Sequence, residues 1–131
     1  MKKRLSILFL LSFCFLFSFS QKGPRLKFTE TKHNFGYLQK GDIDTLNYPF
    51  INDGGQPLIF TDSKVECNCT KVILPKDPVE PGGSGVVTVI YDTKGAYGIQ
   101  DRKVIIISNS KSGEETLHFK GEVLVKKKLG F

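Results

Sequence analysis

The sequence predicts an all-β protein built as a two-layer β-sandwich, on three observations. After residue 20 the chain consists of short segments in which apolar and polar residues alternate, the pattern of strands with one buried face. Gly, Pro, Asn and Asp separate these segments about every ten residues, as in β-sandwiches. No stretch has the periodicity of an amphipathic helix.

Residues 1–20 are predicted to be a secretory signal peptide. A basic start is followed by an apolar run over residues 5–17, which is shorter than the roughly 20 residues that crossing a bilayer requires. Ser18 and Ser20 flank Phe19, so we expect cleavage after Ser20 and export to the periplasm or the cell surface. No later segment is apolar enough to span a membrane.

The charge of the chain depends strongly on this segment. Removing residues 1–20 removes three of the 19 Lys and Arg and none of the 13 Asp and Glu, which lowers the formal net charge from +6 to +3. The remainder, without interleaved basic and aromatic residues, predicts no nucleic-acid partner. We expect one sandwich domain over residues 21–125 and a basic tail over residues 126–131.

Alternation of apolar and polar residues predicts the first strands. Leu46, Tyr48 and Phe50 share one parity and should face the core, while Pro49 lacks an amide donor and predicts an edge strand or a bulge. Residues 52–55, Asn-Asp-Gly-Gly, predict a hairpin turn into a strand that starts near Leu58.

The second half of the sequence predicts the centre of the core. Residues 75–85 are rich in Pro and Gly and predict a loop. The branched apolar run over residues 104–107 predicts a strand covered on both faces. In the last strand His118 should face solvent. The residues predicted to face inward are Val87, Val89, Tyr91, Leu117, Phe119, Gly121, Val123 and Val125.

Several motifs occur in order along the chain: Phe35-Gly36, Asn52 to Gly55, Cys67-Asn68-Cys69-Thr70, Tyr91-Asp92-Thr93-Lys94-Gly95, Ser108-Asn109 and Leu117-x-Phe119-x-Gly121-x-Val123. Over residues 28–125 they resemble an uncharacterised family of exported bacterial proteins, abundant in Bacteroidetes and known as domain of unknown function 1573. The resemblance implies an immunoglobulin-like sandwich of about seven strands, similar to Hydin-type and major-sperm-protein-like domains, and implies no established activity.

The family usually has Cys-Gly-Cys-Thr where this chain has Asn68 in the middle position. Because Asn tolerates left-handed backbone angles, a tight turn there remains compatible with the sequence.

Cys67 and Cys69 are the only cysteines after the predicted signal peptide, and three interpretations stay open. In an oxidising compartment they form a labile redox disulfide. As thiolates they suit Cu(I), or zinc with His33 and His118 as further ligands. As small apolar side chains they simply pack.

No catalytic constellation stands out, since Asp42 and Asp44 are better explained as turn residues, so we expect no enzyme activity and no cofactor. The expected function is an interaction module of the cell envelope that holds another protein or peptide through a sheet edge or loop. The alternative is a thiol redox or copper-handling protein acting through Cys67 and Cys69. The candidate surface recognition residues are Tyr97, Lys126, Lys127 and Lys128.

Overall fold

The computed structural model describes residues 22–126, so the predicted signal peptide, Lys127 and Lys128 lie outside the described part. The described residues form eight strands and no helix. Within them, therefore, nothing has the long apolar helix that crossing a membrane requires. The strands are β1 (Leu26–Phe28), β2 (Lys32–Gln39), β3 (Ile43–Asn52), β4 (Phe60–Val65), β5 (Thr70–Ile73), β6 (Ser84–Asp92), β7 (Gly98–Ser108) and β8 (Glu114–Leu124).

The strands form two four-stranded sheets that pack face to face. The first sheet has the order β1-β3-β6-β5 and the second has the order β2-β8-β7-β4. All pairs are antiparallel except β2 with β8. The chain's first extended segment is divided between the two sheets as β1 and β2, which brings the strand count to eight. The predicted all-β sandwich is confirmed.

The core lies between the sheets and is built by alternate residues of the long strands. Leu46, Tyr48 and Phe50 of β3 face it as predicted. The predicted residues of β6 and those of β8 up to Val123 are also buried, except Gly121, which is half-buried. Val125 follows the end of β8 and is exposed, so its predicted inward position is wrong. The buried apolar residues are Leu26, Leu46, Tyr48, Phe50, Leu58, Val87, Val89, Tyr91, Ala96, Val104, Ile106, Leu117, Phe119 and Val123.

The predicted hairpin after β3 is also wrong. β3 belongs to the first sheet and β4 to the second, so residues 53–59 carry the chain across the sandwich. Leu58, in this crossing, forms an isolated antiparallel bridge with Val79 and is fully buried. The bridge closes the end of the core between the sheets.

Asn52 explains why the chain crosses here. Its side chain is fully buried and makes four hydrogen bonds to backbone groups of different segments. Oδ1 accepts from two N–H groups and Nδ2 donates to two carbonyls, so all of these polar groups are satisfied without water. The donors are Arg25 N at 3.2 Å and Gly54 N at 3.0 Å, and the acceptors are Gln56 O at 2.7 Å and Val79 O at 2.9 Å.

Pro49 does not mark an edge strand, because β3 lies between β1 and β6. Its carbonyl accepts a hydrogen bond from Thr29 N at 3.0 Å, so the backbone of Pro49 faces the side on which β1 has already ended at Phe28. In an antiparallel strand the N–H and C=O of one residue face the same neighbour. The missing donor of Pro49 therefore costs no ladder bond with β6.

The run over residues 104–107 is covered on one face only. Val104 and Ile106 are fully buried, whereas Ile105 and Ile107 are half-buried on the outer face of the second sheet. The expectation of a strand covered on both faces is wrong. The register neighbours of Ile105 and Ile107 on this outer face are polar residues of β8 and β4. They are Thr116, Glu114, Lys64 and Asp62.

Candidate functional site: a groove on the outer face of the second sheet

A β-bulge in β2 creates the first wall of the groove. The register with β8 shifts between Asn34 and Gly36, so Phe35 is an extra residue in the strand. Gly36 has a φ of 69°, a backbone angle that glycine adopts readily and that residues with a side chain, apart from Asn and Asp, rarely adopt. The shift reverses the alternation of β2. As a result Phe35 packs against the core while Tyr37, two residues on, faces outward and is 72% exposed.

Gly121 makes room for this bulge. The ring of Phe35 lies over Gly121, and a Cβ at residue 121 would overlap that ring and lie 2.7 Å from the carbonyl oxygen of Gly36. Phe35 also packs on Tyr91, with ring centroids 5.7 Å apart, and on Phe119 at 6.4 Å. The glycine on β8 is therefore part of what directs Tyr37 outward.

The start of β7 forms the second wall. Gly98 has a φ of 73°, and Gln100 behind it is buried. The amide Nε2 of Gln100 donates to the carbonyl of Tyr97 at 2.8 Å, and its Oε1 accepts from the hydroxyl of Tyr91 at 3.2 Å. This network fixes the backbone so that the side chains of Tyr97 and Ile99 are 73% and 85% exposed.

The two walls enclose a shallow groove of about 290 Å³ across β2, β8 and β7, called the outer groove here. The strand register places Tyr37, Glu122 and Ile99 side by side, with Glu122 in the middle. The next row is Asn34, Lys120 and Asp101, again with the β8 residue in the middle. Tyr97 is exposed two residues before Ile99, but it is not among the residues that line the groove. The groove thus combines exposed apolar walls with a charged floor.

Of the charged groups in the groove, Lys120 and Asp101 are neighbours in the register, whereas Glu122 has only uncharged cross-strand neighbours. Within residues 22–126, ion pairs form between Arg25 and Asp53 at 3.9 Å and between Lys64 and Glu114 at 3.3 Å. Neither involves the outer groove. Its carboxylates remain available to a ligand.

The Cys67–Cys69 turn lies at the opposite edge of the sandwich, where the chain passes from β4 in the second sheet to β5 in the first. The structure contains a disulfide between the two cysteines, with Cα atoms 5.2 Å apart. Thr70 N donates to Cys67 O at 3.3 Å and closes the turn. Both cysteines are half-buried, and the redox activity of the pair stays a prediction.

The turn forms without left-handed backbone angles, because no non-glycine residue in the described range has a positive φ. Asn68 therefore does not need the tolerance that the sequence suggested. The hydroxyl of Thr70 lies 3.8 Å from Cys67 Sγ and 3.7 Å from Cys69 Sγ, so one buried hydroxyl contacts both sulfurs.

The zinc hypothesis has no assembled site. His33 lies on β2 and His118 on β8, with β7 between them and β4, which leads into the cysteine turn. Across residues 22–126, no three His, Cys, Asp or Glu side chains are grouped so as to hold a metal ion. Asp42 and Asp44 act locally: Asp42 accepts from Gln39 N at 2.9 Å and Asp44 from Thr45 N at 3.0 Å.

Among the predicted surface residues, Tyr97 is exposed two residues before Ile99 and Lys126 is exposed just after β8, and their role in recognition stays a prediction. Sequence reasoning missed Tyr37, Ile99 and Glu122. The signal that could have found Tyr37 is the pair Phe35-Gly36, since a glycine after an aromatic residue in a strand suggests a bulge. Ile99 and Glu122 carry no local signal, because only the register places them beside Tyr37.

The fold and this site define an immunoglobulin-like β-sandwich, the class that the resemblance implied. Residues 26–123 match the family model described as "Protein of unknown function (DUF1573)", so the chain belongs to that family. Comparison with curated proteins gives no match.

Solved structures share the fold at low sequence identity. A protein of unknown function from Porphyromonas gingivalis W83 matches with a TM-score of 0.67 and 18% identity over 82% of this chain and 50% of that one. The chain thus spans half the length of that protein. The secreted serine protease VesC from Vibrio cholerae matches with a TM-score of 0.59 and 19% identity over 76% of this chain and 23% of the protease. A PapD-like domain of human CEP192 matches with a TM-score of 0.58 and 9% identity, over 79% of this chain and 87% of that domain. At these identities the likeness concerns the fold alone.

Proposed function

We propose that this protein is a non-enzymatic module of the cell envelope, exported to the periplasm or the cell surface, that binds another protein or a peptide in the outer groove. The observation that carries the proposal is the exposure of Tyr37 and Ile99 on opposite sides of one concave surface. Tyrosines supply large, rigid contact area with a polar tip and are enriched at the energetic centres of protein interfaces.

The sheet edges are less suited to binding than this face. β4 has a bulge and outward-facing Asp62 and Lys64, and β2 is bent by its own bulge. Charges and bulges are devices that block strand addition. β1 and β5 have three and four residues and offer few backbone groups. The proposal therefore assigns binding to a sheet face, rather than to the edge that the sequence suggested.

Site-specific crosslinking in cells tests this proposal. A photo-crosslinking amino acid is placed at Ile99 in the full chain, and a matched one is placed at Ile73, which is exposed on the outer face of the first sheet. We expect a defined protein adduct from position 99 that disappears when Tyr37→Ala is added, and no such adduct from position 73. Equal labelling from both positions, or an adduct that is indifferent to Tyr37→Ala, would contradict the proposal.

A second candidate function, thiol exchange, is favoured by the position of the Cys67–Cys69 disulfide in a half-buried surface turn. In this reaction a dithiol protein gives two electrons and two protons to the disulfide, leaving two thiols here and a disulfide in the donor. The reduced pair would suit Cu(I). The test compares cells that lack the protein with cells that carry the Cys67→Ser, Cys69→Ser double variant. If thiol chemistry is the function, the variant should behave like the loss of the protein. If groove binding is the function, the variant should behave like the parent chain.

A further inference from the structure

We infer that the partner of the outer groove presents a cationic side chain, arginine or lysine, next to an apolar residue. This inference rests on the binding function proposed above and specifies the chemistry of the partner. It follows from the position of one carboxylate between two apolar walls.

Glu122 lies at the centre of the groove floor. Tyr37 on β2 and Ile99 on β7 are its register neighbours, and such neighbours have Cβ atoms about 5 Å apart. Both neighbours are uncharged, and no ion pair within residues 22–126 involves Glu122. A binding partner that covers the groove would remove water from this carboxylate, which is costly unless the partner brings a positive charge.

The neighbouring row does not supply that charge. Lys120 lies beside Asp101 in the register, so the positive charge of this row already has a carboxylate next to it. The groove as a whole carries two carboxylates, Asp101 and Glu122, against one ammonium group. The lining therefore has one net negative charge, at the end where Glu122 lies, whereas the row beyond Lys120 carries Lys32 and Lys103. Charge complementarity therefore selects a cationic partner.

The ring of Tyr37 strengthens the preference for a cationic partner. A guanidinium group that forms paired hydrogen bonds with Glu122 would lie next to the ring of Tyr37, where it gains cation–π attraction. On the other side Ile99, 85% exposed, offers apolar contact to a neighbouring residue of the partner. An arginine or lysine beside an apolar residue would therefore pair with Glu122, contact the ring of Tyr37 and place the apolar residue against Ile99.

Selection from a library of random displayed peptides tests the inference. The full exported chain is immobilised and used to select peptides, with parallel selection on Tyr37→Ala and on Ile99→Ser to identify binding that depends on the groove. We expect the groove-dependent peptides to be enriched in arginine or lysine next to an apolar residue.

Synthetic copies of these peptides are then titrated against variants of one carboxylate at a time. Glu122→Gln should weaken binding about tenfold or more, since hydrogen bonds to charged groups are worth about 1.5–3 kcal/mol. Glu114→Gln is the matched control on the same strand and the same outer face, and it should change binding less than twofold, roughly the limit for a distant exposed residue. Thermal unfolding of each variant confirms that it is folded.

The outcomes distinguish a failure of the cationic-partner inference from a failure of the proposed groove binding. Groove-dependent peptides without cationic enrichment, or with binding unchanged by Glu122→Gln, would overturn the inference while leaving the proposed binding function in place. Peptides that bind equally to the parent chain, Tyr37→Ala and Ile99→Ser, or no selected peptides at all, would overturn both.

Discussion

The aromatic ring of Phe35 occupies the space that a side chain on Gly121 would need. These residues lie on neighbouring strands, and their contact sets the bulge that turns Tyr37 outward. Replacing Gly121 with Ala should therefore destabilise the fold by about 1–3 kcal/mol, the usual cost of overpacking. Urea denaturation measures this loss.

Gly95→Ala is the matched control for Gly121→Ala, because nothing lies within 4 Å of a Cβ at that position and its φ is not in the left-handed range. We expect little change there. If Gly121→Ala unfolds at the same urea concentration as the parent chain, the Phe35 ring is not confined by this contact and the account of the bulge is wrong.

Asn52→Ala should cost about 2–4 kcal/mol of unfolding free energy. The substitution leaves two partly buried N–H groups and two carbonyls without the partners that Asn52 supplies, and each unsatisfied group carries a penalty of about 1–3 kcal/mol that water partly relieves. Asn47→Ala on the exposed face of the same strand is the control and should stay within about 0.5 kcal/mol. Equal unfolding midpoints for the two variants would show that the hydrogen bonds of Asn52 do not stabilise the fold.

Tyr48 should make the protein less stable in strong alkali. Burial raises the pKa of Tyr48 from 10.0 to about 12, and its hydroxyl donates to the carbonyl of His118 at 2.9 Å. Because the folded-state pKa is the higher one, the stabilising contribution is fully present below pH 10 and is lost as the pH rises toward 12. A two-unit shift corresponds to about 2–3 kcal/mol.

The measurement for Tyr48 compares urea denaturation of the parent chain and Tyr48→Phe at pH 8 and pH 11. The gap in stability between them should shrink at pH 11, since only the parent must keep a buried phenol protonated. Tyr97→Phe, which removes a hydroxyl at an exposed position, is the control for the substitution itself at pH 8. A gap that stays constant or widens with pH would contradict the burial of the Tyr48 hydroxyl.

Reducing the Cys67–Cys69 disulfide should lower the free energy of unfolding by only about 1.5 kcal/mol, because it closes a loop of about three residues and removes little chain entropy from the unfolded state. The core lies between two complete sheets and does not need the bond. Denaturation with and without a reductant measures the change, and the Cys67→Ser, Cys69→Ser double variant should not respond to the reductant. Loss of the fold on reduction would show that the turn holds the two sheets together.

The parts of the fold that sequence reasoning predicted correctly are those with a local cause. The inward sets of β3, β6 and β8 follow from a period of two, which any half-buried strand must show regardless of its neighbours. Tyr97 was recognisable as exposed because small residues flank it in the sequence. The Cys67–Cys69 turn was likewise visible as two cysteines in a chain segment between strands.

The amino-acid sequence alone is sufficient for the class of fold, for the inward faces of β3, β6 and β8, and for the family to which the chain belongs. The pairing of strands in the folded chain was needed to show that Pro49 lies in an interior strand, that the chain crosses between sheets after Asn52, and that Tyr37 faces outward. The physical reason is that these features depend on which strands pair and in what register. Tyr37, Ile99 and Glu122 are far apart in the sequence and meet only because β8 aligns between β2 and β7.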